Sequence, residues 1–205
     1  MAQFNLARIR EEMRSDKAEV RGRASQELLL QIERDKSIHA EALQLFRSIA
    51  TVVDDPWTAL NCVRGIEFIA GDKEARPVRL ELFKHKRPSL VAGVVLTIKD
   101  SSYVKDLIAL LATRKEEEIH VAVVRELGRL GGDAALAAII SQLEDKAIRP
   151  HAVEALGELR DRRAIPHLEK LMNDKTPAWE EDNHGPMLHV SDLVKEALQR
   201  MGGGK

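Results

Sequence analysis

The sequence predicts an all-α fold, an α-solenoid of about twelve helices stacked as antiparallel pairs. Three observations predict it. The chain repeats itself at a spacing of 29 residues, its apolar residues recur in steps of three and four, and only 3% of its residues are aromatic. Strands favour aromatic and β-branched side chains, and no stretch alternates with period two over a strand's length.

The repeat is read by sliding the chain over itself, which lays Ile119–Ala147 on Ile148–Thr176. Leu127 meets Leu156, Gly128 meets Gly157, Leu130 meets Leu159, Ala135 meets Ala164 and Asp145 meets Asp174. One unit upstream, Val94, Val95, Ile98, Leu107 and Leu110 keep the apolar positions, although Lys99 and Asp100 replace the glycine turn.

Taken in order, the patterns place helices near 4–14, 17–34, 37–52, 56–70, 75–85, 89–99, 102–113, 117–130, 134–145, 148–159, 164–173 and 190–201. The fourth starts at Asp55-Pro56, an N-cap followed by proline at the first helical position. The ninth follows Gly131-Gly132, with Asp133 as its N-cap. The tenth carries Ile148, Ala152, Ala155, Leu156 and Leu159 on one buried stripe. Gly157 lies inside it at a cost of roughly 1 kcal/mol against alanine, so close approach of the next helix is expected there. The eleventh starts near Pro166 and buries Ile165, Leu168, Leu171 and Met172. Thr176-Pro177 reads as a further helix start.

The segment Ile148-Arg149-Pro150-His151-Ala152-Val153-Glu154-Ala155-Leu156-Gly157-Glu158-Leu159, followed by Ala164-Ile165-Pro166-His167-Leu168, resembles the HEAT-like repeat named after phycobilisome lyases. The resemblance is strong over 119–176, weaker over 90–118 and only architectural before that. It implies a single solenoid domain over 1–202, with clearest repeats at 90–118, 119–147 and 148–176, and a flexible tail at 203–205. It also implies that second helices line the concave side, where His167, Lys170, Asn173 and Asp174 face outward. Ala138, Ser141, Glu144 and Asp145 hold those positions one unit earlier.

After Thr176 the period fails. The last helix aligns at an offset of 42, with Glu154 on Glu196, Ala155 on Ala197 and Leu156 on Leu198. The intervening insert, Pro177 to His189, carries Trp179, then Glu180, Glu181 and Asp182, then His184. Insertions in repeat proteins map to loops, often on a working face. Trp179 is expected to anchor the insert and the three acids to meet a basic partner. Capping of the terminal helix is the competing role.

The chemistry is thin. The 32 Lys+Arg balance 33 Asp+Glu, which argues against a polycation that coats nucleic acid. Some HEAT-like proteins are DNA glycosylases, but the richest basic cluster, Lys73, Arg76, Arg79, Lys84, His85, Lys86 and Arg87, is diluted by Asp72, Glu74 and Glu81. Trp57 beside Asp54 and Asp55 suggests base flipping, yet a capped helix start explains the same residues. The lone Cys62 sits in a helical context and reads as a buried thiol. His184 and His189 match no metal-ligand spacing, and Gly185-Pro186 breaks any helix that would align them. No histidine is followed by glutamate, so the HEAT-like iron hydroxylases are not matched.

The longest apolar run, Leu90 to Leu96, is far too short to span a membrane. The expectation is a cytoplasmic, non-enzymatic scaffold without cofactor or metal, whose partner is another protein, in one reading a basic one. A bilin-lyase-like activity and nucleic-acid binding are the alternatives.

Overall fold

The computed structural model describes residues 4–178 and 188–202. Its contacts divide the chain into two compact units, Met1–Thr97 and Ile98–Lys205. The first holds α1 (Leu6–Glu12), α2 (Ala18–Ile32), α3 (His39–Ala50), α4 (Pro56–Ala70), α5 (Asp72–Leu82) and α6 (Pro88–Val95). The second holds α7 (Val104–Thr113), α8 (Glu117–Leu130), α9 (Asp133–Ser141), α10 (Arg149–Leu159), α11 (Ile165–Glu169) and α12 (Val190–Arg200). Among the described residues the only extended pairing is a single bridge between Pro177 and His189. The fold is an all-α solenoid, helix for helix the predicted order.

In the second unit α8, α10 and α12 pack side by side. The predicted close approach at Gly157 is there: a Cβ on it would meet Ala197 Cβ at 3.0 Å and Ala197 Cα at 3.1 Å. Gly128 faces Ala155 in the same way, at 2.9 Å from both its Cβ and its carbonyl oxygen. The two glycines lie 29 residues apart and their two alanines 42 apart, so the crossing that the repeat predicts recurs across the insert. Leu127 and Leu156, the aligned leucines, are both fully buried.

In the first unit α2 packs on α4, α4 on α6, and α3 and α5 against α4. Phe46, Ile66, Leu28 and Leu90 fill its core. Arg79 is also fully buried, between Glu67, whose carboxylate it meets at 2.5 Å, and Asp72. It therefore leaves the basic cluster that the sequence suggested, and Lys84 there is paired with Glu81 at 2.7 Å.

Several expectations are corrected at element ends. The eleventh helix is five residues long, and its continuation turns away so that Met172 is 37% exposed. Thr176-Pro177 starts no helix. Ala178 N–H donates to Leu188 O at 2.8 Å and Val190 N–H to Thr176 O at 3.0 Å, closing the base of the insert as an antiparallel pair. Asp133 is the first residue of α9, and its carboxylate meets Arg163 at 2.7 Å, while Gly132 takes the cap position with φ +94°. A left-handed φ of that kind suits glycine.

One signal was missed. Asp35, Asp100 and Asp161 each accept the backbone N–H two residues on, at 2.9, 2.6 and 3.0 Å, and each opens a 3-10 turn. Aspartate forms such turns because its short carboxylate reaches that donor. Asp100 is thus the structural equivalent of a turn, where the sequence showed only a lost glycine.

Because Leu156 is fully buried between aligned helices, Leu156→Ala is expected to cost about 2–5 kcal/mol in denaturant unfolding. A loss below about 1 kcal/mol would place the repeat out of register.

Candidate functional site

The strongest candidate surface lies on the outer side of α2. Ala18, Gly22, Gln26 and Leu30 recur every four residues, so they share one face along about 18 Å of helix. Pro56 and Trp57, at the start of α4, form the opposite wall of a groove of about 680 Å³. Leu30 is 46% exposed and Trp57 57% exposed. Gly22 makes this possible, since a Cβ there would come within 2.9 Å of Trp57 Cδ1. The indole lies against the helix backbone with the rest of its surface open to solvent.

The charges around the groove are mostly committed. Asp55 accepts Thr58 N–H at 2.8 Å as the N-cap of α4. Its other oxygen accepts Arg21 Nε at 2.8 Å and Nη2 at 2.6 Å, while Arg21 Nη1 donates to Ser15 O and Asp16 O. Glu27 is held by Arg8 at 2.5 Å. Arg23 and Glu19 are exposed and make no ion pair among the described residues. The cap explains Asp55 beside Trp57, and the carboxylate is not available for base chemistry.

The sequence singles out Trp57 as a helix start or, beside Asp54 and Asp55, as a base-flipping set, and not as the wall of a groove. The four-residue spacing of Ala18, Gly22, Gln26 and Leu30 was legible, but its openness to solvent was not, because the same pattern describes a buried stripe.

The residues expected on the second-helix face divide. Lys170 and Asn173 are exposed and His167 is half-buried. Asp174 is committed. Its carboxylate meets Arg149 at 2.8 Å with both side chains 13% exposed, and its other oxygen accepts Thr176 N–H at 2.8 Å. Its backbone oxygen accepts Ser191 N–H at 3.0 Å, which ties it to the start of α12. Burial opposes its ionisation, but Thr176 and Arg149 outweigh that and hold the carboxyl below the usual carboxylate range. Asp174 is a structural corner. Trp179, Glu180, Glu181, Asp182 and His184 lie outside the described residues.

Arg149 has a counterpart 29 residues earlier. Arg149 Nε donates to Leu143 O at 2.6 Å, and His120 Nε2 bonds Arg114 O at 3.0 Å, the equivalent carbonyl one repeat back. The histidine there does an arginine's work as a cap on the preceding helix end, so His120 has a structural role.

A smaller polar pocket of about 170 Å³ opens between Arg125 on α8, His151, Glu154 and Glu158 on α10, and Arg200 on α12. Burial raises the Glu154 carboxyl above its ordinary range, against the pull of Arg125 and Arg200. Burial, then Arg125, lowers His151. Cys62 is buried, and burial, then the charge of Asp55, pushes its thiol far up, away from nucleophilic use. Among the described residues no group of three or more potential metal ligands converges. No described helix is long and apolar enough to cross a membrane.

The stacked helix pairs, the glycine crossings and the Arg149–Asp174 corner define a repeat solenoid. Residues 104–181 match the family model for HEAT repeats, which supports a HEAT-like repeat protein. No curated protein matches the chain.

Two outcomes follow from these charges. Asp174→Ala leaves Arg149 buried without its partner and should cost about 3–5 kcal/mol in chemical denaturation, where a purely surface aspartate would cost almost nothing. The Glu154 carboxyl is raised in the folded state, so its contribution is complete below the ordinary carboxylate range and lost as pH rises through the raised value. The His151 shift has the opposite sign: its contribution is present above the ordinary histidine range and lost as pH falls through the lowered value. Stability followed from pH 4 to pH 7 in Glu154→Gln should therefore lack a decline that the parent shows on the acidic side of that window. Parallel curves would show that Glu154 is solvated.

Proposed function

We propose that this chain is a non-enzymatic protein-interaction scaffold that meets other proteins through its solenoid surface. The observation that carries the reading is the groove on α2, where Leu30 and Trp57 stay exposed beside an apolar floor. Surface apolar side chains are ordinary when scattered, whereas grouped ones along a groove mark a contact surface. Trp is also among the side chains that most often anchor protein interfaces.

The state of the reactive groups supports the same reading. Cys62 is buried with a raised thiol, Asp55 is bound by a cap and an arginine, and Asp174 is bound at a corner. Near-equal charge of both signs favours a protein partner over nucleic acid. HEAT-like repeats present surface at small cost, since each helix pair depends only on its neighbours. The likeness to phycobilisome-lyase repeats adds architecture to this reading and no lyase role.

A second contact belongs to the other unit. His167, Lys170 and Asn173, with the insert residues Trp179, Glu180, Glu181, Asp182 and His184, are proposed as a polar face for a basic partner.

Photo-crosslinking in the native cell tests both surfaces. A photoreactive residue at position 30 should give a protein adduct, of whatever identity, that disappears when Trp57→Ala is combined with it. One at position 173 should give an adduct sensitive to Glu180, Glu181 and Asp182 changed together to Ser. Absence of protein adducts at both positions would overturn the scaffold reading.

A further inference from the structure

We propose that the groove on α2 is closed by a second copy of this chain, with the two α2 helices antiparallel about a two-fold axis level with Ser25. This rests on the reading of the groove as an interaction surface and says what occupies it. The argument is self-complementarity, which a two-fold interface requires, because the same patch must fit itself.

Three features of α2 fit under that one axis. First, shape: the outer stripe runs Ala18, Gly22, Gln26, Leu30, small at its beginning and large at its end. In an antiparallel pair, Leu30 then meets Ala18 and the exposed indole of Trp57, which itself covers Gly22, on the second copy. The small Ala18 beside the indole leaves room for a large apolar side chain, which Leu30 supplies.

Second, charge: Arg23 comes level with Glu27 of the second copy, and Glu27 with Arg23, so two opposite-sign pairs form symmetrically. Arg23 makes no ion pair within its own chain among the described residues. Glu27 is paired with Arg8, which also holds Glu12, and these pairs are exposed, so the Glu27 carboxylate stays open to a second cation. The buried pair of Arg21 and Asp55 lies beneath, mutually neutralised, so the floor carries no strong field against an identical copy.

Third, register: sliding the second copy by one turn towards the start of α2 moves Leu30 past Ala18 to the level of Ser15 and Asp16, where the helix has not begun. That contact is then lost. Shape and charge therefore select the same alignment, which is the content of the proposal. A foreign amphipathic helix has no reason on this surface to match an Arg23–Glu27 pair in both directions.

Charge inversion in the full-length chain tests it, read by analytical ultracentrifugation over a range of concentrations. The wild type should show a reversible monomer–dimer equilibrium. Leu30→Asp should abolish it, and Arg23→Glu or Glu27→Arg alone should each weaken it at least about tenfold. Each single inversion sets like charges opposite each other in its own dimer. An equimolar mixture of Arg23→Glu and Glu27→Arg chains pairs opposite charges again and should recover association. Thermal unfolding at concentrations where every chain is monomeric should be little changed in all three variants, since the substituted side chains are exposed or make surface pairs.

A wild type that stays monomeric at the highest soluble concentration overturns the proposal, as does a dimer indifferent to all three substitutions. A monomeric chain that still gives a heterologous adduct at position 30 overturns the second copy and leaves the interaction surface standing. A monomer without any such adduct removes both.

Discussion

The close passage of α10 beside its neighbours is the constraint on which the second unit is built. Gly128 faces the backbone of Ala155, and Gly157 faces that of Ala197, each near 3 Å from where a Cβ would stand. Glycine inside a helix costs stability by itself. It is retained because two helices that touch at backbone distance bring their flanking leucines into full contact, which returns more than the glycine loses. Leu127, Leu156 and Val194 are fully buried around these crossings. The same crossing is thus made on both sides of α10, which presents Ala155 to α8 and Gly157 to α12.

Clamps at helix ends supply what the crossings do not. In the first unit Arg21 caps the carbonyls after α1 and binds Asp55, which itself caps α4. In the second, Arg149 bonds the carbonyl of Leu143 and binds Asp174. Each clamp joins three chain segments through one guanidinium, whose five donors can serve carbonyls and a carboxylate at once. Such pairs contribute more to fixing geometry than to net stability, because removing two charges from water offsets their attraction. Their effect on function is indirect. They absorb the buried charges, and in the first unit this leaves an apolar groove floor on α2 flanked by the exposed Glu19 and Arg23.

How much of this was legible follows from which interactions are local. Helix order, the repeat, the crossing at Gly157 and the insert all read directly from spacing, because a solenoid is stabilised by neighbours at nearly constant separation in sequence. The ends read less well. Pro166 marked the start of α11, but nothing in Leu171-Met172 announced that the helix would stop at Glu169. Thr176-Pro177 has the residue types of a helix start, and only pairing with Leu188 to Val190, more than ten residues away, makes it a bridge instead. The site was least legible. Asp174 reads as a surface acid because its partner Arg149 lies 25 residues back, and the spacing of the Ala18–Leu30 stripe is that of a core stripe.

The same local logic separates the binding surface from the fold. The side chains that hold the first unit together, such as Phe46, Ile66 and Arg79, are fully buried, and none of them lines the groove. Gly22 is where the two functions meet. By lacking a Cβ it lets Trp57 rest on α2 while most of the indole stays in solvent. A larger residue would push the indole outward and erase the wall of the groove without touching the core. Trp57 is thus held in place by contact with a backbone, so little rotamer freedom remains to be lost when a partner covers it. Ordering a free side chain at an interface costs about 0.5–1.5 kcal/mol. Here that cost is met during folding, and the exposed indole face is presented to its partner already positioned.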